Sequence, residues 1–456
     1  MFKLLLCLCL INAFFIITIE IRNVCQPLGY TNILEKHMRI GQFAVQNNTS
    51  IDTIRHYMSM GLLVPEKQKA QYDFDENCAQ DFHEITQLKQ IGFTLSEIQQ
   101  LILFRRIGKL TGYDRRLTYT SFFEKKKEQI ELEINRLSKM KYNLNNEIIE
   151  MRLKLEEDQG ARRETMGITI ASLELFACPV CQASFEITEG NIQQGILVEA
   201  TLTCQCNYQL RIEDGIVYTP EMIVNTHENK EDTNDSQYSE SFIDEYINTT
   251  DIEYLKKIHA GLQWSSRHIP FTILENAIIL ELGSGHGYFM RHMLALFPDS
   301  STYIAVDHDP VKIKWLKKVI ERSQAKSKVI FICADFTKLP LKTHSVDMLL
   351  DMSGSSNYAF EHTDFLLDKI DHLLKKNAHI HGGYIVFENF VAQSRIRTTH
   401  RNSFNIKYIQ SYLKALNYEC LHDFISEPVE KGGPLEDYFV DGEKVRTYLY
   451  SGKKID

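Results

Sequence analysis

A chain of 456 residues is too long for one ordinary hydrophobic core and points to about three domains, while 44% hydrophobic and 24% charged residues exclude global disorder. A formal charge of −9 excludes a surface that coats nucleic acid along its whole length, because such binding rests on Lys and Arg neutralising phosphates; any DNA contact must be local. Of ten cysteines only those at 178, 181, 204 and 206 make a compact pattern, which fits a reduced, cytoplasmic setting with one metal-holding cluster.

Residues 1–21 (MFKLLLCLCLINAFFIITIEI) carry one early Lys and then an apolar run of about 16 residues, short for a spanning helix and long for the core of a signal peptide. Taken alone the run reads as membrane-targeting, yet no small-residue cleavage pattern follows it. Residues 1–37 therefore read as an apolar extension, either a start upstream of the functional one or an anchor, and membrane association stays open.

From Met38 to Leu110 two short helical periods, Ile40 to Val45 and Ser50 to Met58, flank a polar turn at Asn47 to Thr49, the layout of a helix-turn-helix. Ser50 can cap the second helix, and Gly61 can end it before Leu62, Leu63 and Pro65 begin an extended wing. The second helix offers Thr53, Arg55, His56 and Tyr57 to a DNA groove. The segments RIGQFA, TIRHY, GLL and GFTLSEI stand in the order and spacing of the MerR family, which residues 38–110 resemble. The resemblance implies a winged helix-turn-helix in which Arg55 and Tyr57 contact double-stranded DNA and Tyr72 lies in the wing. Gln71-Tyr72-Asp73 departs from the family's Gly-Tyr-Arg, replacing a phosphate-binding cation with an anion. The alternative is a helix-turn-helix kept for protein contacts.

Over residues 118–158 the apolar positions Ile130, Ile134, Leu137, Leu144, Ile148, Met151 and Leu155 step by four and three, interrupted at Lys141, the pattern of a coiled-coil seam. The same pattern fits an amphipathic helix packed on its own chain. In MerR-like proteins the corresponding helix pairs antiparallel with its twin, so the resemblance implies a homodimer and a pseudo-palindromic operator.

Within residues 172–222, Cys178-Pro-Val-Cys181 and Cys204-Gln-Cys206 can supply four thiolates to a structural zinc, with a hairpin turning at Asp214-Gly215. A redox pair and unmetallated thiols are the alternatives. The segment resembles the zinc ribbon of certain ribosomal-RNA methyltransferases, although Cys-x-Cys departs from the usual second knuckle and leaves the fourth ligand in doubt. The polar stretch 225–240 reads as a flexible linker.

Residues 241–456 carry the chemistry. Ala277 to Leu280 reads as a buried parallel strand running into Glu281-Leu-Gly283-Ser284-Gly285-His-Gly287, glycines that permit a tight turn and close approach of a ligand. A second strand ends in Asp307-His308, a third in Asp335-Phe336, and a fourth, Val346 to Leu350, in Asp351. This order resembles the class I S-adenosylmethionine-dependent methyltransferases, an α/β Rossmann-like fold with a last strand at Arg446 to Ser451. The resemblance implies S-adenosylmethionine held by Glu281, Gly283, Ser284, Gly285, Gly287, Asp307, His308, Asp335, Phe336 and Asp351. Asp307 would take the ribose hydroxyls and Asp335 the adenine amine, with Phe336 flanking the ring. Asp307 and Asp335 can instead cap helices or face water, and His308 reads as surface as readily as ligand; His286, inside the loop, is the better placed of the two histidines. The segment Asp351 to Tyr358, with Glu388 and Asn389, should line the acceptor side. No catalytic residue is forced, because the donor is already activated.

The expectation is a multidomain chain: a MerR-like DNA-binding transcriptional regulator joined to a methyltransferase acting on an unknown small molecule. A non-catalytic ligand-sensing regulator, or an RNA methyltransferase with a repurposed helix-turn-helix, are the other readings.

Overall fold

The computed structural model describes residues 38–68, 71–108, 111–160, 166–193, 195–222, 235–323 and 328–455. The extension 1–37 lies outside them. The chain divides into two units, one ending at Gly160 and the other beginning at Ala161.

In the first unit α1 (Ile40–Gln46) and α2 (Ile51–Ser59) flank the polar turn. The Ser50 hydroxyl caps α2 by accepting the Thr53 amide at 3.0 Å, which satisfies one of the free N–H groups of the first turn. Gly61, with φ of +69°, ends it in the left-handed conformation that glycine adopts at little cost. The wing is an antiparallel pair, β1 (Glu66–Gln68) and β2 (Gln71–Asp73), with Lys67 opposite Tyr72. Two further helices, α3 (Glu76–Gln90) and α4 (Leu95–Gly108), complete one core around Phe43, Ile54, Leu62, Phe74, Phe82, Ile85 and Ile102. Arg106 ties α4 to the end of α2 by donating to the carbonyls of Gly61 and Leu62 while pairing with Asp81.

The unit continues into α5 (Gly112–Gly160), a single helix of 49 residues. At 1.5 Å per residue it is about 74 Å long. All seven seam residues from Ile130 to Leu155 are exposed, Leu144 by 62%, so this chain alone does not cover the stripe.

The second unit is built on one 12-stranded sheet. Its centre is parallel: β8 (Ile278–Leu282), β9 (Thr302–Asp307), β10 (Lys328–Cys333), β11 (Val346–Met352) and β12 (Leu374–Asn389). The order β10-β9-β8-β11-β12-β14-β13, with β13 (Tyr418–Ile425) and β14 (Lys444–Lys454) antiparallel at the end, is the class I methyltransferase order. The chain leaves β8 toward β9 on one side and β11 on the other, so a crevice opens at the carboxyl end of β8.

Two expectations are corrected here. The cysteine-bearing segment is not a free-standing module: β7 (Ile216–Tyr218) pairs in parallel with β10, and β6 (Gln209–Glu213), β5 (Ile196–Cys204), β4 (Phe185–Gln193) and β3 (Ile168–Thr169) extend the same sheet. The pairing supplies backbone partners to β10, which would otherwise be an open edge. The stretch 225–240 is not wholly linker, since α6 (Asp235–Thr249) begins inside it and leads to α7 (Ile252–His268), which α8 (Tyr288–Met293) and α9 (Pro310–Arg322) follow along the chain. No helix among the described residues is long and apolar enough to cross a membrane.

Candidate functional site

The crevice at the head of β8 gathers the residues that the sequence spread over four strand ends. Gly283, Gly285 and Gly287 all have positive φ. At Gly287 an added Cβ would also run into Leu316 Cδ1, so a larger residue there would require that side chain to move. The loop is fastened to its neighbours: Ser284 donates its amide to Val306 O at 2.9 Å, Gly285 to Asp307 Oδ2 at 2.7 Å, and Asp309 to Asp307 Oδ1 at 2.9 Å.

Below the loop Glu281 is 1% exposed, and its Oε2 finds no hydrogen-bond partner among the described residues. Burial pushes its pKa up to about 7, the neighbouring Asp307 charge adding to the rise and the hydroxyls of Ser284 and Tyr303 opposing it. A buried carboxyl with an unused oxygen beneath a glycine loop is a place for a cationic ligand group.

On the far side Phe336 stands perpendicular to His308, ring centroids 6.2 Å apart, and would lie 3.6 Å from a Cβ at Gly283. Asp335 uses Oδ1 to cap the turn Phe336–Lys338, accepting the Thr337 amide and hydroxyl, each at 2.8 Å. Its capping role and a ligand role differ by one oxygen.

Asp351 is placed differently from the other acids. It is fully buried and accepts the Ser355 amide at 2.8 Å and hydroxyl at 2.6 Å, anchoring α10 (Gly354–Ala359) beneath the crevice. Burial raises its pKa, against those same hydrogen bonds. Ser353, just before α10, holds φ at +68°, a conformation a non-glycine residue keeps only under constraint. Of the two acceptor-side candidates after β12, Glu388 pairs with Arg446 at 2.5 Å, and Asn389 donates its side-chain amide to Gly442 O at 2.7 Å.

Several site-side residues were missed in the sequence. Phe242 of α6 stacks on His286, centroids 4.0 Å apart. Tyr246 lies 5.8 Å from Tyr288, the residue after Gly287, and its hydroxyl donates to Glu436 Oε1 at 2.9 Å. Tyr254 donates to Glu436 Oε2 at 2.7 Å and meets the Tyr438 hydroxyl at 2.9 Å. Lys257, buried on the same helix, has its pKa lowered to about 8 by desolvation, with the Glu436 charge opposing. Lys257 had a visible signal, since Tyr254, Lys257, Ile258, Gly261 and Ser265 share one helical face. Glu436 and Tyr438 had none, because they sit in an irregular loop.

At the other end of the sheet the four cysteine Sγ atoms lie within 4.8 Å of one another, with Cys178–Cys206 at 3.5 Å and Cys181–Cys204 at 3.4 Å. Zinc–sulfur bonds of about 2.3 Å put tetrahedral sulfurs about 3.8 Å apart, so the donor set fits. Left-handed Gln182 and Asn207 each follow the second cysteine of a pair, so both cysteine turns end in the same backbone conformation. The Tyr208 amide, then the Cys178 thiol, lower Cys206 to about 7.

In the first unit the Arg55 side chain is 67% exposed and pairs at the surface with Asp52 at 3.2 Å, and His56 and Tyr72 are also exposed. Thr53 is half-buried and shares its hydroxyl with Ser50 at 2.9 Å. Tyr57 is a correction: it is 4% exposed, packs on Phe82 and accepts from Lys89 Nζ at 3.3 Å, so it belongs to the core. It lies three residues after Ile54, on the same inward face.

Comparison with known proteins agrees with this division. Residues 38–104 match the MerR HTH family regulatory protein model, and residues 279–377 the methyltransferase domain model. The chain is 25% identical over 126 residues to nodulation protein NolA of Bradyrhizobium sp. (strain NC92), covering 27% of this chain and 48% of that protein. It thus spans about half the length of that relative. Among solved structures it resembles the MccD protein (TM-score 0.35, 11% identity, 43% of this chain, 96% of that one). It also resembles geranyl diphosphate C-methyltransferase from Streptomyces coelicolor A3(2) (TM-score 0.35, 10% identity, 43% of this chain, 76% of that one).

Proposed function

We propose that this chain, a MerR-type helix-turn-helix joined to a methyltransferase domain, is a cytoplasmic DNA-binding regulator whose C-terminal unit binds S-adenosylmethionine and methylates a small molecule. The observation that carries the reading is the left-handed glycine loop tied to Asp307, together with a buried Glu281 whose Oε2 has no hydrogen-bond partner among the described residues. Glu281 and Ser284 would face the cationic amino-acid moiety, with Gly283, Gly285 and Gly287 giving the backbone room. Asp307 keeps lone pairs for the ribose hydroxyls after taking two amides, and Asp335 keeps Oδ2 for the adenine amine. Phe336 and His308 would flank the adenine, and Asp351 would hold α10 in place from beneath. Bound S-adenosylmethionine supplies a methyl group already activated on sulfur, so the protein's share of the work is alignment and exclusion of water.

Zinc on Cys178, Cys181, Cys204 and Cys206 would be structural, four sulfurs leaving no open position. Arg55, His56 and Tyr72, with Thr53 at the helix start, would meet double-stranded DNA, and the exposed stripe of α5 would pair two chains on a pseudo-palindromic operator.

Calorimetry of the full chain with S-adenosylmethionine and its demethylated product tests the cofactor assignment. Absence of binding to both would remove it, and binding without turnover on any cell metabolite fraction would select a ligand-sensing regulator instead.

A further inference from the structure

One buried charge has no use in the cofactor assignment. Lys257 is 8% exposed, and its Nζ lies 4.1 Å from the Tyr254 ring centroid with no hydrogen-bond acceptor or carboxylate in contact among the described residues. Around it the other polar groups are engaged: both oxygens of Glu436 take tyrosine hydroxyls, and Tyr438 meets Tyr254. The unused capacity is therefore the three N–H donors of one ammonium. An ammonium on a side chain so largely withdrawn from water, with no acceptor in contact, is a group that a ligand oxygen would stabilise.

On the cofactor assignment, the cluster flanks the crevice on the side of α6 and α7. Tyr246 reaches Tyr288 at the exit of the glycine loop, while Tyr254, Tyr438 and Phe439 pack with Ala359 and Phe360 at the end of α10, the helix that follows β11. We infer that Lys257 receives an anionic oxygen of the methyl acceptor, so that the acceptor is a small organic acid, a carboxylate or an acidic phenol, seated against Tyr246, Tyr254 and Tyr438. An amine acceptor fits worse on two counts. It would meet Lys257 as a like charge, and the Tyr254 face that would attract a cation already holds the Lys257 ammonium. The inference rests on the methyl-transfer reading given above.

The test uses the full chain, methyl-labelled S-adenosylmethionine and the small-molecule pool of a bacterial extract separated by ion exchange into anionic, neutral and cationic fractions. We expect label to transfer in the anionic fraction. With that acceptor, Lys257→Met should raise KM about ten- to hundredfold, the loss expected of one hydrogen bond to a charged group, and leave calorimetric S-adenosylmethionine affinity unchanged. Lys257→Arg should recover most of the loss. Transfer confined to the neutral or cationic fraction, or an unaltered KM in Lys257→Met, overturns the inference. Transfer in no fraction, with S-adenosylmethionine still bound, overturns it too, whereas failure of the wild-type chain to bind S-adenosylmethionine brings down the underlying cofactor reading. The fraction result needs no variant, so a Lys257→Met chain that fails to fold does not shield the proposal.

Discussion

The Gly285 amide donates to Asp307 Oδ2 at 2.7 Å, which makes the glycine loop and the end of β9 a single hydrogen-bonded piece before any ligand arrives. The carboxylate that would take the ribose is thus also the one that shapes the loop over the amino-acid moiety. We expect Asp307→Ala to weaken S-adenosylmethionine binding by about 1.5–3 kcal/mol for each charge-assisted hydrogen bond lost. Asp307→Asn, which keeps one acceptor oxygen, should lose less. Equal calorimetric affinity in all three proteins would remove Asp307 from the site.

Glu281 predicts a pH dependence. Its pKa is raised by burial from 4.5 to about 7 in the folded chain, so the unfolded chain releases the proton first as pH rises. The stability this group contributes is therefore fully present below about 4.5 and is lost as pH climbs through about 7. The span corresponds to roughly 3 kcal/mol. A cationic cofactor group beside Glu281 favours the ionised form, so affinity should rise between about pH 5.5 and 7.5, with proton release. Calorimetry in two buffers of different ionisation enthalpy reads that proton. Glu281→Gln should flatten both profiles, and an equally steep profile in the variant would count against the assignment.

The crevice was legible in the sequence because its parts recur at strand ends: a buried strand must stop somewhere polar, and Gly283, Asp307 and Asp335 mark those stops. What the strand ends could not reveal was division of labour. Asp351 looks like the others in sequence but turns inward to Ser355, a distinction set by the path of α10 rather than by any spacing. On the second helix of the turn motif Arg55 is exposed as a DNA contact would require, whereas Tyr57 is buried, because the three-residue step from Ile54 places it inside. The parallel pairing of β7 with β10 was out of reach, since it joins Ile216 to Phe331 across more than a hundred residues and depends on an edge that only the folded sheet presents. Polar composition hid α6, whose apolar residues begin only at Phe242.

The cysteine cluster predicts more than metal content. Purified protein should carry about one zinc per chain, and Cys178→Ser should lose it. Ala177, next to Cys178, donates its amide to Pro340 O at 3.2 Å, Lys342 donates to Leu175 O at 3.0 Å, and Glu221 pairs with Lys338 at 3.2 Å. These contacts grip the segment that follows Asp335 and Phe336. Chelation should therefore weaken S-adenosylmethionine binding as well as release zinc, and full zinc occupancy in Cys178→Ser would refute the assignment.

Tyr57 and Arg55 should separate folding from DNA contact. Tyr57→Ala removes a buried aromatic ring and should destabilise the first unit by about 3 kcal/mol, seen as a lower melting transition. Arg55→Ala breaks only an exposed pair with Asp52, worth well under about 1 kcal/mol, and should leave melting unchanged while weakening DNA binding. Cofactor affinity should not move in Arg55→Ala. Undiminished binding to DNA selected by the wild-type chain would exclude Arg55 from the interface.

The stripe on α5 makes the last prediction. Ile130, Ile134, Leu137, Leu144, Ile148, Met151 and Leu155 leave an apolar seam in water, broken only at Lys141, and each of these side chains is worth about 1.5–3 kcal/mol when fully buried. A second copy of α5 presents the same seam, so pairing covers both at once. We expect a homodimer by analytical ultracentrifugation. Replacing Leu137 and Leu144 with Glu should give monomers, because each seam would carry two carboxylates and the paired interface would bury four without partners. A monomer offers one recognition helix where a palindromic site presents two half-sites about 34–36 Å apart. Operator affinity should then fall, while S-adenosylmethionine binding in the second unit persists. A monomeric Leu137→Glu, Leu144→Glu chain that holds its operator as tightly as the wild type would show that the seam serves something other than DNA recognition.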